Sequence, residues 1–403
     1  MARLRCPPAA AHHRLPHRPG GRRFPFQLRA RQARTGLPTA GGAGRGPAAH
    51  GGLVARGGAA VSASDRVPAS PVLVTGANGF IGQALCAGLL RAGCTVRGAV
   101  LRGTDAEPLE RMGIPVYPGD ILQPETLAPA LQGVRSVYHL AALATDWAPW
   151  DRFMRVNAEG TACVLEAARR AGVQRLVHMS SLVVHPFSGH VAADEHAPLG
   201  NRTNGYCAAK GVAEGHVRRA QQAGWFETVI IRPGTVIYGP GDTTAFVHLA
   251  PALERGPLPL VGDGETVTCC SYVGNLVDGL LLAGHRPEAA GRSYVLTDDR
   301  MVTWRAYLSA VCSALGVRPR LIGVPTWMVR AAGWSLETIW RSAGFSHAPV
   351  VHRYRVALMA RDFHFGCERA KRELGYRPRV GLESGLARTV EWYRRWQVAA
   401  GRA

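Results

Sequence analysis

The residue types best suited to chemistry are a phenol and an amine four positions apart, Tyr206 and Lys210. On a helix that spacing puts both on one face, one turn apart. A free phenol titrates at about pH 10 and is a poor base near neutrality. A cation one turn away favours the phenolate and moves it toward working pH. Hydride removal from a carbinol carbon needs such a group, because the hydroxyl proton must leave as the hydride does. Tyr-x-x-x-Lys also arises by chance on solvated helix faces. Here Lys210 is one of only two lysines in an arginine-dominated chain, and Lys and Arg are not chemically equivalent. Upstream, Val177-His-Met-Ser-Ser-Leu182 ends an apolar run. Ser180 and Ser181 would then stand at the carboxyl edge of a strand, where a hydroxyl can hold a substrate oxygen. Taken alone, a serine there is more often a turn residue.

The stretch that must position these groups is Val72-Leu-Val-Thr-Gly-Ala-Asn-Gly-Phe-Ile-Gly82. It reads as a short buried strand, a glycine turn and the start of a helix carrying Ala84, Leu85, Leu89 and Leu90. In that context Gly76 permits the tight turn, Gly79 lets the backbone approach a pyrophosphate, and Gly82 lets helix and strand pack closely. The helix N-terminus offers free N–H groups and partial positive charge to phosphates.

Beyond it, strand and helix signals alternate. Strands are expected at Thr95–Val100, Val116–Tyr117, Ser136–Leu140, Arg175–Met179 and Thr228–Ile231, and helices at Gly79–Ala92, Pro124–Leu131, Trp150–Ala171 and Tyr206–Ala223. Such alternation predicts an α/β fold: a Rossmann-type doubly wound parallel sheet, with binding at the carboxyl ends of its strands. After about residue 235 the pattern loosens. Helical stretches near Leu276–Ala283, Trp304–Leu315, Trp327–Arg341 and Leu382–Trp396 suggest a smaller, mostly helical substrate-binding cap. The expected organisation is a tail over residues 1–65, a cofactor domain over 66–235, and a region over 236–403 that is mainly cap with some segments returning to the sheet.

Composition narrows the function classes. The chain has 403 residues and a formal charge of +20. About half of that excess comes from residues 1–64, which hold eleven arginines and no acid, so the charge is poor support for a nucleic-acid partner. That tail is rich in Pro, Gly and Arg and is expected to be disordered. It reads as a transit segment, or as a dispensable or misassigned start, the second reading being favoured; it lacks the apolar core of a secretory signal. The nine cysteines are scattered, without C-x-x-C or zinc spacing, so no metal site is expected and a reducing, cytoplasmic setting fits best. No apolar stretch is long enough to span a bilayer.

At this point the chain resembles the extended short-chain dehydrogenase/reductase superfamily over roughly residues 71–396. The glycine motif is Thr75-Gly76-Ala-Asn78-Gly79-Phe80-Ile81-Gly82. Gly119-Asp120-Ile121 looks like the adenine contact, and Tyr138-His-Leu140-Ala141-Ala142 like the strand end along the cofactor. Val156-Asn157-Ala-Glu-Gly160-Thr161 matches a helix segment of the family, and Arg232-Pro233-Gly234 with Tyr238-Gly-Pro-Gly-Asp242 the segment closing over the nicotinamide. The resemblance implies that Tyr206 is the acid/base, that Lys210 binds the ribose and lowers the Tyr206 pKa, and that Ser181 positions the substrate. It also implies a homodimer joined through the Trp150–Ala171 and Tyr206–Ala223 helices. The cofactor would be NAD or NADP. Val100 stands where an acid for the ribose hydroxyls is expected, with Arg102 close behind, which leans toward the 2′-phosphate of NADP.

For the substrate, two subgroups compete. Nucleotide-sugar epimerases and dehydratases usually carry an Arg about where Thr268 stands, and an Asp where this chain has Asn275. The dehydratase Thr-Asp-Glu triplet is missing too. The C-terminal Cys367–Pro378 segment and Glu391-Trp-Tyr393 resemble the 3β-hydroxysteroid dehydrogenase and dihydroflavonol reductase side. The implied reaction is hydride exchange between a nicotinamide and a secondary alcohol or ketone of a small apolar, sterol-like molecule, with nucleotide-sugar chemistry as the alternative. A redox sensor without turnover would not need Ser181, Tyr206 and Lys210 together. Trp327, Met328, Trp334, Ile339, Trp340 and Phe345 fall in one stretch beside Arg330 and Arg341. Aromatics at helical spacing are most often core. The alternatives are an apolar substrate wall or a helix making peripheral contact with a membrane. His185, His190 and His196 read as loop residues, with His185 within reach of substrate.

Overall fold

A computed structural model describes residues 67–401. The expected disordered tail, residues 1–65, lies outside the described residues. The centre is a seven-stranded parallel sheet. Its strands are β1 (Val72–Thr75), β2 (Val96–Val100), β3 (Val116–Pro118), β4 (Ser136–His139), β5 (Arg175–Met179), β6 (Glu227–Pro233) and β7 (Ser293–Leu296). They lie in the order β7-β6-β5-β4-β1-β2-β3. The chain leaves β1 for β2 on one side and returns to β4 on the other, with Val72 opposite both Val96 and Ser136. The crevice at this switch point opens at the carboxyl ends of β1 and β4, where an open α/β sheet binds its ligand.

Alternation along the strands builds two cores. Val72 and Val74 face one side, where Leu85 and Leu89 of α1 (Phe80–Arg91) close over them. Leu73 faces the other side with Val137, Leu176 and Ile230. That side is covered by α2, a helical run over Trp150–Arg170, and α3 (Gly205–Gln222). The middle of α2, Met154–Glu159, is π-helical, a local widening that recurs at functional sites. Gly205 meets Phe153 of α2 so closely that a Cβ would lie 2.7 Å from its ring, which only glycine allows.

The region after β6 departs from the expected helical cap in two ways. It is mixed: short two-stranded pairings join Val236–Tyr238 to Cys270–Tyr272 and Leu258–Val261 to Leu321–Val324. And α4 (Val273–His285), which covers the expected Leu276–Ala283 helix, packs on α1 against the sheet; a Cβ on Gly88 would lie 2.5 Å from Val277. β7 also returns to the sheet, beside β6. The remaining helices include α5 (Trp304–Leu315), α6 (Thr326–Ser342) and α7 (Leu382–Ala399). A separate core of Phe246, Tyr272, Leu308, Val311, Leu386 and Tyr393 holds α5 and α7 together. Among the described residues no helix is long and apolar enough to cross a membrane.

Candidate active site

The glycine turn is built by close approach. Gly76 has φ +67°, and a Cβ on it would sit 2.9 Å from the backbone of Ala141. A Cβ on Gly82 would lie 2.1 Å from the carbonyl oxygen of Gly76, so no side chain fits there. Thr75 ties the two strand ends together: its hydroxyl is 2.8 Å from Nδ1 of His139 and accepts from the Ala141 N–H. Gly79 caps α1 with no side-chain bond, and the first turn carries no acid. The N–H groups there are left to an outside acceptor. The Asn78 amide reaches sideways to Thr104 Oγ1 and the Asp105 carbonyl, holding back the loop after β2. A cleft of about 610 Å³ runs from this turn to Tyr206. An uncapped helix end and a glycine cradle at the head of one continuous cleft fit a dinucleotide.

The cleft wall takes Gly76, Asn78, Gly79, Phe80, Ile81 and Gly82 from the turn. Asp120 and Ile121 contribute from after β3, Leu140, Ala141 and Ala142 from after β4, and Pro233 from the end of β6. Four residues expected at the cofactor are placed elsewhere. The Arg102 side chain is exposed and off the wall, although Val100 and Leu101 line it. Asn157 stands behind the wall, its amide bonded to both backbone groups of Leu143, so it fixes the loop after β4. Arg232 turns its guanidinium into the protein interior, and Gly234 gives its N–H to Ser271 Oγ. Motif position marks a backbone segment; which way each side chain points depends on buried partners far away in sequence. Ile237, Thr244 and Val156 also line the cleft. Val156 opens the helix motif noted in the sequence, whereas no chemical pattern singles out Ile237 or Thr244.

Ser181, Tyr206 and Lys210 all meet in the wall. The Ser181 hydroxyl, which accepts from the Val183 N–H, is near enough to the Tyr206 phenol to favour its charged form. Lys210 is buried and donates to the Met179 carbonyl at 2.8 Å, with Nζ 5.9 Å from the Tyr206 ring centre. Burial pushes Tyr206 above the ordinary phenol range, and the neighbouring Cys207 adds to the rise, while the Ser181 hydroxyl opposes it. The phenol is therefore protonated at neutral pH. Burial also disfavours the Lys210 ammonium, lowering it from 10.5 to about 8 against the pull of the Glu214 charge.

Glu214, one turn beyond Lys210, was not singled out by any motif. Its buried carboxylate accepts from Ser180 Oγ at 2.7 Å, from Arg232 Nε and Nη2 at 2.8 and 2.7 Å, and from Arg218 at 2.7 Å. Burial alone would raise its pKa, but the Arg232 bonds and charge, with Ser180 and Arg218, hold it below the usual carboxylate range. Arg232 also reaches Nε2 of His185 at 3.2 Å and the Glu195 carbonyl. His185, expected within reach of substrate, is instead a buried member of this network and does not line the cleft. Burial, with Arg232 beside it, lowers His185 to about 4, so it is neutral.

A parallel sheet with a glycine-cradled crevice and a Ser/Tyr/Lys wall defines a nucleotide-dependent α/β enzyme. The pattern of the NAD dependent epimerase/dehydratase family matches residues 72–297. The chain belongs to that family, and it is an NAD(P)-dependent dehydrogenase/reductase acting on CH–OH groups. It is 34% identical over 316 residues, 78% of this chain and 93% of the other, to a 4-hydroxy-2-methyl-3-oxo-4-farnesyl-3,4-dihydroquinoline-1-oxide ketoreductase of Stigmatella aurantiaca. It is 32% identical over 342 residues, 80% of this chain and 90% of the other, to a 3 beta-hydroxysteroid dehydrogenase/Delta 5-->4-isomerase of Mycobacterium tuberculosis. Among solved structures, MoeE5 in complex with UDP-glucuronic acid and NAD superposes with a TM-score of 0.65 at 25% identity, covering 81% of this chain and 100% of that one.

The Lys210 environment sets a pH dependence. The ammonium is present below about pH 8 and lost above it, since burial favours the neutral amine. The pH profile of kcat/KM, which reports the free enzyme, is expected to fall through an alkaline limb near that value. Lys210→Met should remove the limb along with most of the activity. A wild-type profile flat to pH 10 would contradict this placing of Lys210.

Proposed function

We propose that the protein passes hydride between a nicotinamide and a secondary alcohol or ketone on a small apolar, sterol-like molecule. The observation that carries the reading is the meeting of Ser181, Tyr206 and Lys210 in the wall of the cleft that begins at the glycine cradle. A nicotinamide bound in the cleft supplies or accepts the hydride. Ser181 holds the substrate oxygen beside Tyr206. The protonated phenol of Tyr206 donates to that oxygen as a carbonyl is reduced, and takes the proton back in the reverse direction. The Lys210 ammonium, four residues on, holds the ribose hydroxyls.

Several observations support an apolar substrate. Thr268, where the resemblance puts a diphosphate-binding Arg, is fully buried and bonded to Thr235 at 3.1 Å, so that position offers no cation. Asn275 is a structural clamp, bonded to Asp298 and to the backbone of Arg379 and Val380. Ala144, Val156 and Ile237 give the cleft apolar wall. Two relatives are named for a farnesylated 3-oxo substrate and for a 3β-hydroxysteroid. The likeness to a UDP-glucuronic acid complex keeps nucleotide-sugar epimerase or dehydratase chemistry as the second reading. The cofactor stays NAD or NADP: Val100, lining the cleft where an acid would hold the ribose hydroxyls, leans the reading toward NADP, whereas Arg102 stands off the wall and NAD accompanies a similar solved structure. The buried free thiols of Cys86, Cys207, Cys269, Cys270 and Cys367 support a reducing, cytoplasmic setting. Exposed Trp150 and Val212, on α2 and α3, support a homodimer through these helices.

The test is turnover of 3-oxo and 3-hydroxysteroids against UDP- and dTDP-sugars, with NADPH and NADH compared. A steroid-type ketone is expected to be reduced, with the higher kcat/KM for NADPH. Tyr206→Phe should lose about 10²–10⁴-fold in kcat, the usual worth of a positioned acid, while cofactor affinity stays within about twofold. Wild-type activity in Tyr206→Phe, or turnover of a sugar nucleotide alone, would overturn the reading.

A further inference from the structure

The aromatic stretch expected as core is largely on the surface. On α6 only Gly333 and Glu337 are buried. Trp327 is 71% exposed and Trp334 60%, with Met328, Ile339 and Phe345 also exposed. At 100° per residue, Trp327, Ala331, Trp334 and Thr338 form one outward stripe. Met328 and Ile339 flank it on one side, and Arg330 and Arg341 on the other. Val329, Leu336 and Trp340 lie on the opposite, inner face. The helix is thus apolar on its outer face and holds to the protein with its inner one, the reverse of an ordinary surface helix.

The charge around this face is one-sided. Residues 301–361 contain eight arginines and a single acid, Glu337. That carboxylate is turned inward and taken up by Arg341 and Arg353 at 3.0 and 2.9 Å. The outward stripe therefore carries no negative charge, and exposed Arg330 borders it on the helix itself. Exposed tryptophans beside an arginine, on a face with no carboxylate and in a segment with a strong excess of arginine, suit the boundary between lipid headgroups and acyl chains, where indole rings partition and basic residues meet anionic lipid.

We propose that the outer face of α6 docks the enzyme on an anionic lipid surface. The helix also touches the active-site rim. Trp147 donates its indole N–H to the Phe345 carbonyl at 3.2 Å, and the Arg341 guanidinium lies 4.5 Å from the centre of the Trp147 ring. Trp147 stands three residues beyond Ala144, which lines the cleft. A lipid-docked α6 places that rim beside the bilayer, where apolar molecules concentrate.

The full-length protein should co-sediment with phosphatidylcholine vesicles containing about 30% phosphatidylglycerol. Part of that binding should survive about 0.5 M salt, where headgroup attraction is screened but indole insertion is not. Acyl-chain-brominated lipid should quench its tryptophan fluorescence. Trp327→Ser with Trp334→Ser should lose the salt-resistant binding about tenfold or more and abolish most of the quenching, with cofactor affinity unchanged as the control for folding. Failure of the wild type to bind these vesicles overturns the proposal. So does a double variant that binds and is quenched like the wild type, which would assign binding to basic segments elsewhere. Loss of self-association in the variant, with no vesicle binding by the wild type, would make the face a contact with a second copy instead.

Discussion

The site depends on one buried carboxylate. Glu214 joins three elements that do not meet in sequence: α3, which carries Tyr206 and Lys210; the end of β5, through Ser180; and β6, through Arg232. Arg232 and Glu214 are both essentially excluded from water. Desolvating such a pair costs about as much as its attraction returns, so it is weak evidence of added stability. Removing one partner is another matter, at about 3–5 kcal/mol, because it strands the other charge. What the pair provides is position. It fixes the strand end bearing Ser181 against the helix bearing Tyr206, and its negative charge favours the ammonium of Lys210 one turn away.

A second constraint sets the other half of the cleft. Gly76 and Gly82 remove every atom that would keep β1, α1 and the end of β4 apart. Thr75 and His139 then lock the two strand ends together. The crevice that results is narrow at the turn and opens toward Tyr206. Because Tyr206 lies in its wall, partly buried, the phenol keeps its proton.

Much of this was legible in the chain. The glycine spacing, the alternation of short apolar runs with helical ones and the Tyr-x-x-x-Lys pair led to the parallel sheet and to the residues that line its crevice. These signals are local: they need only a few neighbouring residues and the periodicity of one element. What was not legible depends on distant partners. Arg232 was read as a cofactor contact because its neighbours match a cofactor segment, yet its guanidinium answers to Glu214, 18 residues earlier, and to His185, 47 residues earlier. The burial of Tyr206 is likewise invisible in spacing, which reveals only a nearby cation. The seventh strand is one of the later segments expected to return to the sheet, while α4, assigned to the cap, packs on α1 through contacts no pattern within it announces. The outward tryptophans of α6 defied the burial bias of aromatics for the same reason: exposure is decided by which faces find partners.

The central claim is that Tyr206 serves a hydride exchange at the carbonyl of an apolar molecule. Its most direct measurement follows the hydride itself. A reduced nicotinamide deuterated at C4 is incubated with the full-length protein and a 3-oxosteroid, and the product is analysed by mass spectrometry and NMR. The account predicts one deuterium at the new carbinol carbon, from one face of the nicotinamide. No deuterated alcohol from any apolar ketone, with epimerisation or dehydration of a nucleotide sugar and no net change in cofactor, would contradict it.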